Sequence, residues 1–214
     1  MLAIVAHTAR AEQAHHLMAT VGAAYMHIDD GTLGCNKNHV KVWTWLAEHC
    51  HTGWATVLED DAQPIDDFTH QHRQALNAAP ADTPAISWYL GRERPPHWQP
   101  NINRALKNAT QDDACWITTQ PVLHAVAISI RHHHIPAMLT HIGKLPPRMP
   151  IDEAITHWLH NNGKMRCLYS VPSLVDHADG ETLFRHPDKH PRTPGRKAHL
   201  TGTRTTWTPR TVTM

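Results

Sequence analysis

The sequence predicts an α/β fold, a mixed and mainly parallel sheet flanked by helices. Three observations predict it. Short apolar runs alternate with helical periodicity through the first 58 residues, in the order strand, helix, strand, helix, strand. Each apolar run is strand-length, and none approaches the ~20 residues of a membrane span. The 214 residues suffice for one large core, since a chain near this length buries roughly 70% of its unfolded surface.

The first strand covers residues 2–6, an unbroken apolar run. Ala9 to Val21 has helical composition, and Ala24 to Ile28 reads as a second strand stopped by Asp29-Asp30-Gly31. From Asn36 to His49, Val40, Trp43 and Ala47, with Val42 and Leu46, recur at helical spacing. Trp54 to Leu58 is a third strand that runs into Glu59-Asp60-Asp61, and Ile65 to Leu76 follows Pro64 as a helix. Ala85 to Leu90 is a strand, and Arg92 to Asn103, with three prolines, a loop over the site. Cys115–Thr118 and His124–Ile130 read as strands, Ile135–Ile142 as a helix and Pro146–Pro150 as a rigid connector. Ile151–Asn161 is a helix and Cys167–Val171 a last strand. The organisation expected is one domain over 1–177 and a basic extension over 178–214, rich in Thr, Pro and Arg and extended or partly disordered by composition.

The apolar start, Met1 to His7, lacks a basic leader segment, so the expected compartment is the cytoplasm, or a host's cytoplasm for a phage-encoded chain. The four cysteines form no C-x-x-C pair and read as free thiols in a reducing compartment. Histidine is abundant at 21 residues, with a His132-His133-His134 tract and a His157/His160 pair. The histidines are spread along the chain without an H-E-x-x-H, so most read as surface polar residues. The net charge of +1 is uneven. From Asp179 onward seven basic residues face three acidic ones, a net +4, and the rest carries −3. That asymmetry suits an anionic partner or a solvated basic tail.

Three elements carry chemistry. Glu59-Asp60-Asp61 closes an apolar strand, at the end of a parallel sheet where ligands bind. Three adjacent carboxylates are costly unless a cation neutralises them, and hard oxygen ligands suit Mg²⁺ or Mn²⁺, with a nucleotide-sugar diphosphate supplying further oxygens. Asp152 and Glu153 open a helix. Acidic residues favour that position for the macrodipole, and one there is also placed to act as a general base. Gly34-Cys35-Asn36-Lys37-Asn38-His39 opens the helix before the acidic strand, where free N–H groups can meet a phosphate or Asn36 can cap the helix.

In this order the elements resemble the family 25 glycosyltransferases, which include bacterial lipooligosaccharide galactosyltransferases and the collagen galactosyltransferases. Gly34-Cys35-Asn36-Lys37-Asn38-His39 with Trp43 resembles the family's G-C-x-x-S-H and following helix. Val57 to Asp61 with Phe68, Leu123 to Ser129, Pro150-Ile151-Asp152 and Pro172 to Val175 resemble four further segments. Asn38 stands where the family has Ser, and the first strand lacks the Asn-Leu usual before its arginine. The resemblance covers roughly residues 2–177. It implies a GT-A-like, Rossmann-type fold, a UDP-sugar donor (UDP-glucose or UDP-galactose) and Mn²⁺ or Mg²⁺. It implies that Asp61 and His177 ligate the metal, that Asp60 lies near the donor ribose, and that Thr8, Arg10, Asn38, His39 and Glu59 line the donor site. Asp152 is then the catalytic base with Glu153 as the alternative.

The acceptor expected is a 5-hydroxymethylpyrimidine in DNA, a substrate of phage glycosyltransferases. Its contacts would be His124 by the resemblance, and Arg185, Arg192, Arg196, Lys197 and Trp207 by tail composition, since cations with an aromatic suit a phosphate backbone and an exposed base. A lipooligosaccharide or other glycan is the alternative acceptor. The competing readings are a non-catalytic metal- and nucleic-acid-binding module and an inactive relative that only binds a nucleotide sugar.

Overall fold

A computed structural model describes residues 1–180, 183 and 195–214. Its centre is an eight-stranded sheet in the order β10-β6-β8-β5-β7-β3-β1-β2. The strands are β1 (Leu2–His7), β2 (Tyr25–Asp29), β3 (Trp54–Glu59), β5 (Ala85–Ser87), β6 (Trp116–Thr119), β7 (Ala127–Arg131), β8 (Cys167–Ser170) and β10 (Thr211–Thr213). Five strands, β1, β2, β3, β5 and β8, run one way, and β6, β7 and β10 run the other. The architecture is the one expected, a mixed and mainly parallel sheet flanked by helices. A two-stranded sheet pairs β4 (Ala62–Pro64) with β9 (Val175–His177) beside it.

Helices cover both faces. Trp43 and Leu46 of α2 (Cys35–His49), Ile102 of α4 (Gln99–Gln111), Met138 of α5 (Ile135–Ile142) and Trp158 of α6 (Ile151–Asn161) are buried in one core. Leu17 of α1 (Ala11–Val21) and Phe68 and Ala75 of α3 (Phe68–Ala78) belong to the other. β1 pairs with β2 on one side and β3 on the other, so the chain reverses its winding at β1. The crevice at the carboxyl ends of β1 and β3 is where such sheets bind ligands. α1 stops at Gly22, whose φ of 64° is a left-handed cap that other residues adopt at a cost.

Four expectations change. The helix expected at Ile65 starts at Phe68, because Ala62–Pro64 pairs with Val175–His177 and stays extended. The expected loop at Arg92–Asn103 holds the first turn of α4, which tolerates Pro100 in its opening turn, where N–H groups lack partners anyway. Its buried face is Ile102, Ala105 and Ala109, right in spacing but weak in hydrophobicity. The strand expected from His124 begins at Ala127, so His124 lies in the approach to β7.

The fourth change is the C-terminal segment. Residues 195–214 do not form an extended arm but run back over the sheet. β10 pairs in parallel with β6, and Trp207 is buried against Trp116 with ring centroids 5.3 Å apart. The Trp207 indole N–H donates to Gln71 Oε1 at 2.8 Å, and Gln71 also bonds the Arg204 backbone at both its N–H and its carbonyl. Removing that amide strands buried polar groups. Gln71→Ala is expected to cost about 1–3 kcal/mol, read as a lower urea midpoint with an unchanged slope. An unchanged midpoint would show that the segment does not depend on this anchor.

Candidate functional site

The acidic triplet lies where β3 ends and the chain turns into β4. Asp60 and Asp61 are both only 8% exposed. The His7 backbone N–H donates to Asp60 Oδ2 at 2.7 Å. Arg10 Nη1 donates to Asp60 Oδ1 at 2.9 Å and Asp61 Oδ2 at 2.7 Å, so one nitrogen ties both aspartates to the turn after β1. Burial opposes the guanidinium charge, but Asp61 and Asp60 hold its pKa above the usual arginine value. Burial pushes Asp60 up, with Asp61 adding to it, against the pull of His7 and Arg10.

Strand β9 delivers the next group. Ala62 pairs with His177, and the Ala178 N–H donates to the Asp61 carbonyl at 2.9 Å. This register brings His177 Nε2 to 3.3 Å from Asp61 Oδ2. Burial lowers the His177 pKa, and its Nδ1 accepts the Asp179 N–H at 2.8 Å, so in the neutral ring the proton sits on Nε2 and faces Asp61. Asp61 Oδ1 is buried and makes no hydrogen bond. An orphaned, buried carboxylate oxygen suits a divalent cation, so Asp61 fits Mg²⁺ or Mn²⁺, and His177 would join it by giving up the Asp179 N–H contact and moving its proton to Nδ1.

Helix α2 supplies the opposite wall. His39 Nε2 lies 3.0 Å from Glu59 Oε1. Burial works against a charge on His39, but Cys35 and Glu59 beside it raise its pKa to about 10. Asn38 is committed within the fold: its Nδ2 donates to the Ala6 carbonyl at 2.9 Å and its Oδ1 meets His27 Nδ1 at 2.7 Å. Its side chain ties α2 to β1 and β2. Thr8 is exposed in the turn between β1 and Arg10.

The two expected bases are neighbours in the first turn of α6 but differ in exposure. Asp152 is half-buried and Glu153 is exposed. Burial, with the charges of Glu59 and Glu153, raises the Asp152 pKa to about 7, against the stabilising backbone N–H groups of Glu153, at 3.0 Å, and of Asp152 itself. The Glu59 contribution puts Asp152 within electrostatic reach of the acidic triplet. His124, lowered to about 4 by burial, is neutral, with Nε2 3.0 Å from the Arg94 carbonyl and its ring edge-on to Tyr89.

The tail residues divide. Arg185 and Arg192 lie outside the described residues. Arg196 pairs with Asp179 at 3.2 Å, and Lys197 reaches Gln63 Oε1 at 3.0 Å and Asp176 Oδ2 at 3.3 Å. Both flank the small sheet that carries His177. Trp207 is buried far along the sheet and cannot stack on a base. Sequence reasoning missed Tyr89, whose ring contacts both His124 and His177 and whose O–H donates to the Arg196 carbonyl. It also missed Asp29, whose carboxylate accepts the N–H groups of Leu33 and Gly34 at 3.1 and 3.0 Å and shapes the entry to α2. Asp29-Asp30-Gly31 signalled a turn, but not that this aspartate is buried.

No family model matches the chain, and no curated protein matches it. Two solved structures similar to it span most of its length. A197 from STIV has 11% identity, covering 95% of this chain and 97% of that one, with a TM-score of 0.47. A glycosyltransferase involved in the glycosylation of the major capsid of PBCV-1 has 8% identity, covering 85% and 94%, with a TM-score of 0.48. Neither likeness is close enough to assign an activity. Among the described residues no helix is long and apolar enough to cross a membrane.

Proposed function

We propose that this protein is a metal-dependent glycosyltransferase that moves a hexose from a nucleotide sugar, UDP-glucose or UDP-galactose, to an acceptor hydroxyl. The observation that carries the proposal is the buried Asp61, clamped by Arg10, facing His177, and with one oxygen unpartnered. Asp61 and His177 would hold Mn²⁺ or Mg²⁺, which supplies a Lewis acid for the departing diphosphate. Arg10 neutralises the aspartates and lies in the same turn as the free hydroxyl of Thr8. His39 positions Glu59 at the opposite wall. Asp152, with a pKa of about 7, is suited to take the acceptor proton at neutral pH.

The acceptor reading shifts from DNA toward a glycan. The DNA reading rested on a free basic arm with an exposed tryptophan. Arg196, Lys197 and Arg204 instead hold intramolecular partners, and Trp207 is buried. Arg185 and Arg192 keep DNA as an acceptor to be tested. The deciding assay incubates the full chain with UDP-glucose or UDP-galactose and Mn²⁺, and measures UDP release alone, with glycan acceptors and with 5-hydroxymethylcytosine DNA. Metal-dependent UDP release is expected, stimulated more by a glycan than by DNA. No hydrolysis or transfer with any donor would sink the enzyme reading in favour of a binding module.

A further inference from the structure

The first turn of α2 carries a second cluster, built around the His39–Glu59 wall with Cys35 added. Cys35 opens the helix and His39 follows one turn later, so both side chains lie on one face. Glu59 meets them from the end of β3. Ligand atoms of Cys35, His39 and Glu59 all lie within 4.8 Å of one another. Among the described residues this is the group of three such side chains close enough to share an ion.

The chemistry of the set differs from that at Asp61. A thiolate, an imidazole and a carboxylate form a mixed soft and hard donor set, and thiolate selects Zn²⁺ over Mg²⁺ or Mn²⁺. The 3.0 Å separation of His39 Nε2 and Glu59 Oε1 is near the edge of a tetrahedron with bonds of ~2.0–2.1 Å. His39 is 1% exposed, so packing holds its ring in place with Nε2 presented to Glu59. Cys35 is exposed, so an ion can enter from solvent on its side. Three protein ligands leave one position of a tetrahedron open, the pattern of zinc sites that also hold water or a ligand oxygen.

We propose that Cys35, His39 and Glu59 form a zinc-binding site, separate from the Asp61–His177 pair and selective for a thiophilic divalent cation. Binding displaces the thiol proton of Cys35 and any proton on His39, and the ion ties the start of α2 to the end of β3.

The test uses the full chain and does not depend on transferase activity. The metal-free protein is titrated with Zn²⁺, and with Co²⁺ as a spectroscopic probe. One equivalent should bind, and Co²⁺ should produce a thiolate-to-metal charge-transfer band. Cys35→Ser should abolish the band and weaken zinc binding by at least the 10–100-fold that loss of even a supporting partner costs. Asp61→Asn should keep both. In the wild-type chain one equivalent of Zn²⁺ should protect Cys35 from iodoacetamide, which attacks it selectively because Cys50, Cys115 and Cys167 are buried. This check needs no variant to fold. The proposal is overturned by a cobalt complex without a thiolate band, by zinc affinity unchanged in Cys35→Ser, by loss of binding in Asp61→Asn, or by alkylation that zinc does not slow.

Discussion

Asp61→Ala should reduce transfer by at least about 10³-fold, because charge stabilisation by a bound metal is worth several kcal/mol in the transition state. The fold should survive the change. Arg10 keeps its bond to Asp60, and the Asp61 backbone carbonyl still accepts from Ala178. The guanidinium is therefore not left as an unpaired charge, which would have been strongly destabilising. The measurements are initial rates of UDP release and transfer beside the circular dichroism of both proteins. EDTA should silence the wild-type enzyme to a similar degree, and Mn²⁺ should restore it but not the variant. Undiminished wild-type turnover in excess EDTA would refute the metal reading while leaving the fold intact.

Asp152→Asn should slow transfer about 100-fold or more, the usual lower size of a general-base contribution, and it should also stabilise the protein at alkaline pH. The folded-state pKa of about 7 lies above the unfolded carboxylate value. The neutral form is therefore favoured in the fold. Stability from this group is fully present below the unfolded value and is lost as pH rises through about 7. Catalysis runs the other way, since the base works only when ionised, so the wild-type rate should climb through pH 7 and level off above it. At pH 8 the amide variant should be roughly 1–2 kcal/mol more stable, a figure reduced for the partial exposure of the group. It should match the wild type near pH 4. A variant that is slower and more stable at pH 8 marks an active-site group. A slower but less stable variant would mark Asp152 as structural, and unchanged turnover with loss of activity in Glu153→Gln would move the base one residue along.

The legible parts of this protein were those written locally. β1, β2 and β3 are continuous apolar runs, and the acidic triplet follows the third directly, so the strand end and its carboxylates could be read together. Asp152 was readable because a proline connector sets the start of α6. What could not be read depends on partners distant in sequence. Asp61 meets His177 only through the pairing of β4 with β9, three residues each and too short for a periodic signal. Trp207 looked like an exposed aromatic in a polar tail, and its acceptor, Gln71, lies 136 residues away. Asn38 is expected at the donor site by the resemblance, in the position of the family's Ser. Its tie from α2 to β1 and β2 depends on Ala6 and His27, which are distant in sequence and gave no signal.

The return of residues 207–214 to the far edge of the sheet bears on how the chain matures during synthesis. β6 and Trp116 are complete long before β10 and Trp207 emerge from the ribosome. Until they do, the nascent sheet presents an unpaired edge and an uncovered indole, the features that recruit chaperones and promote strand-to-strand association. A message cut short before Trp207 would encode every residue of the candidate site and still yield a product prone to aggregate. The integrity of residues 207–214 is thereby tied to solubility, and a chain cut before them would be cleared by the cell's proteases rather than persist as a partly active enzyme.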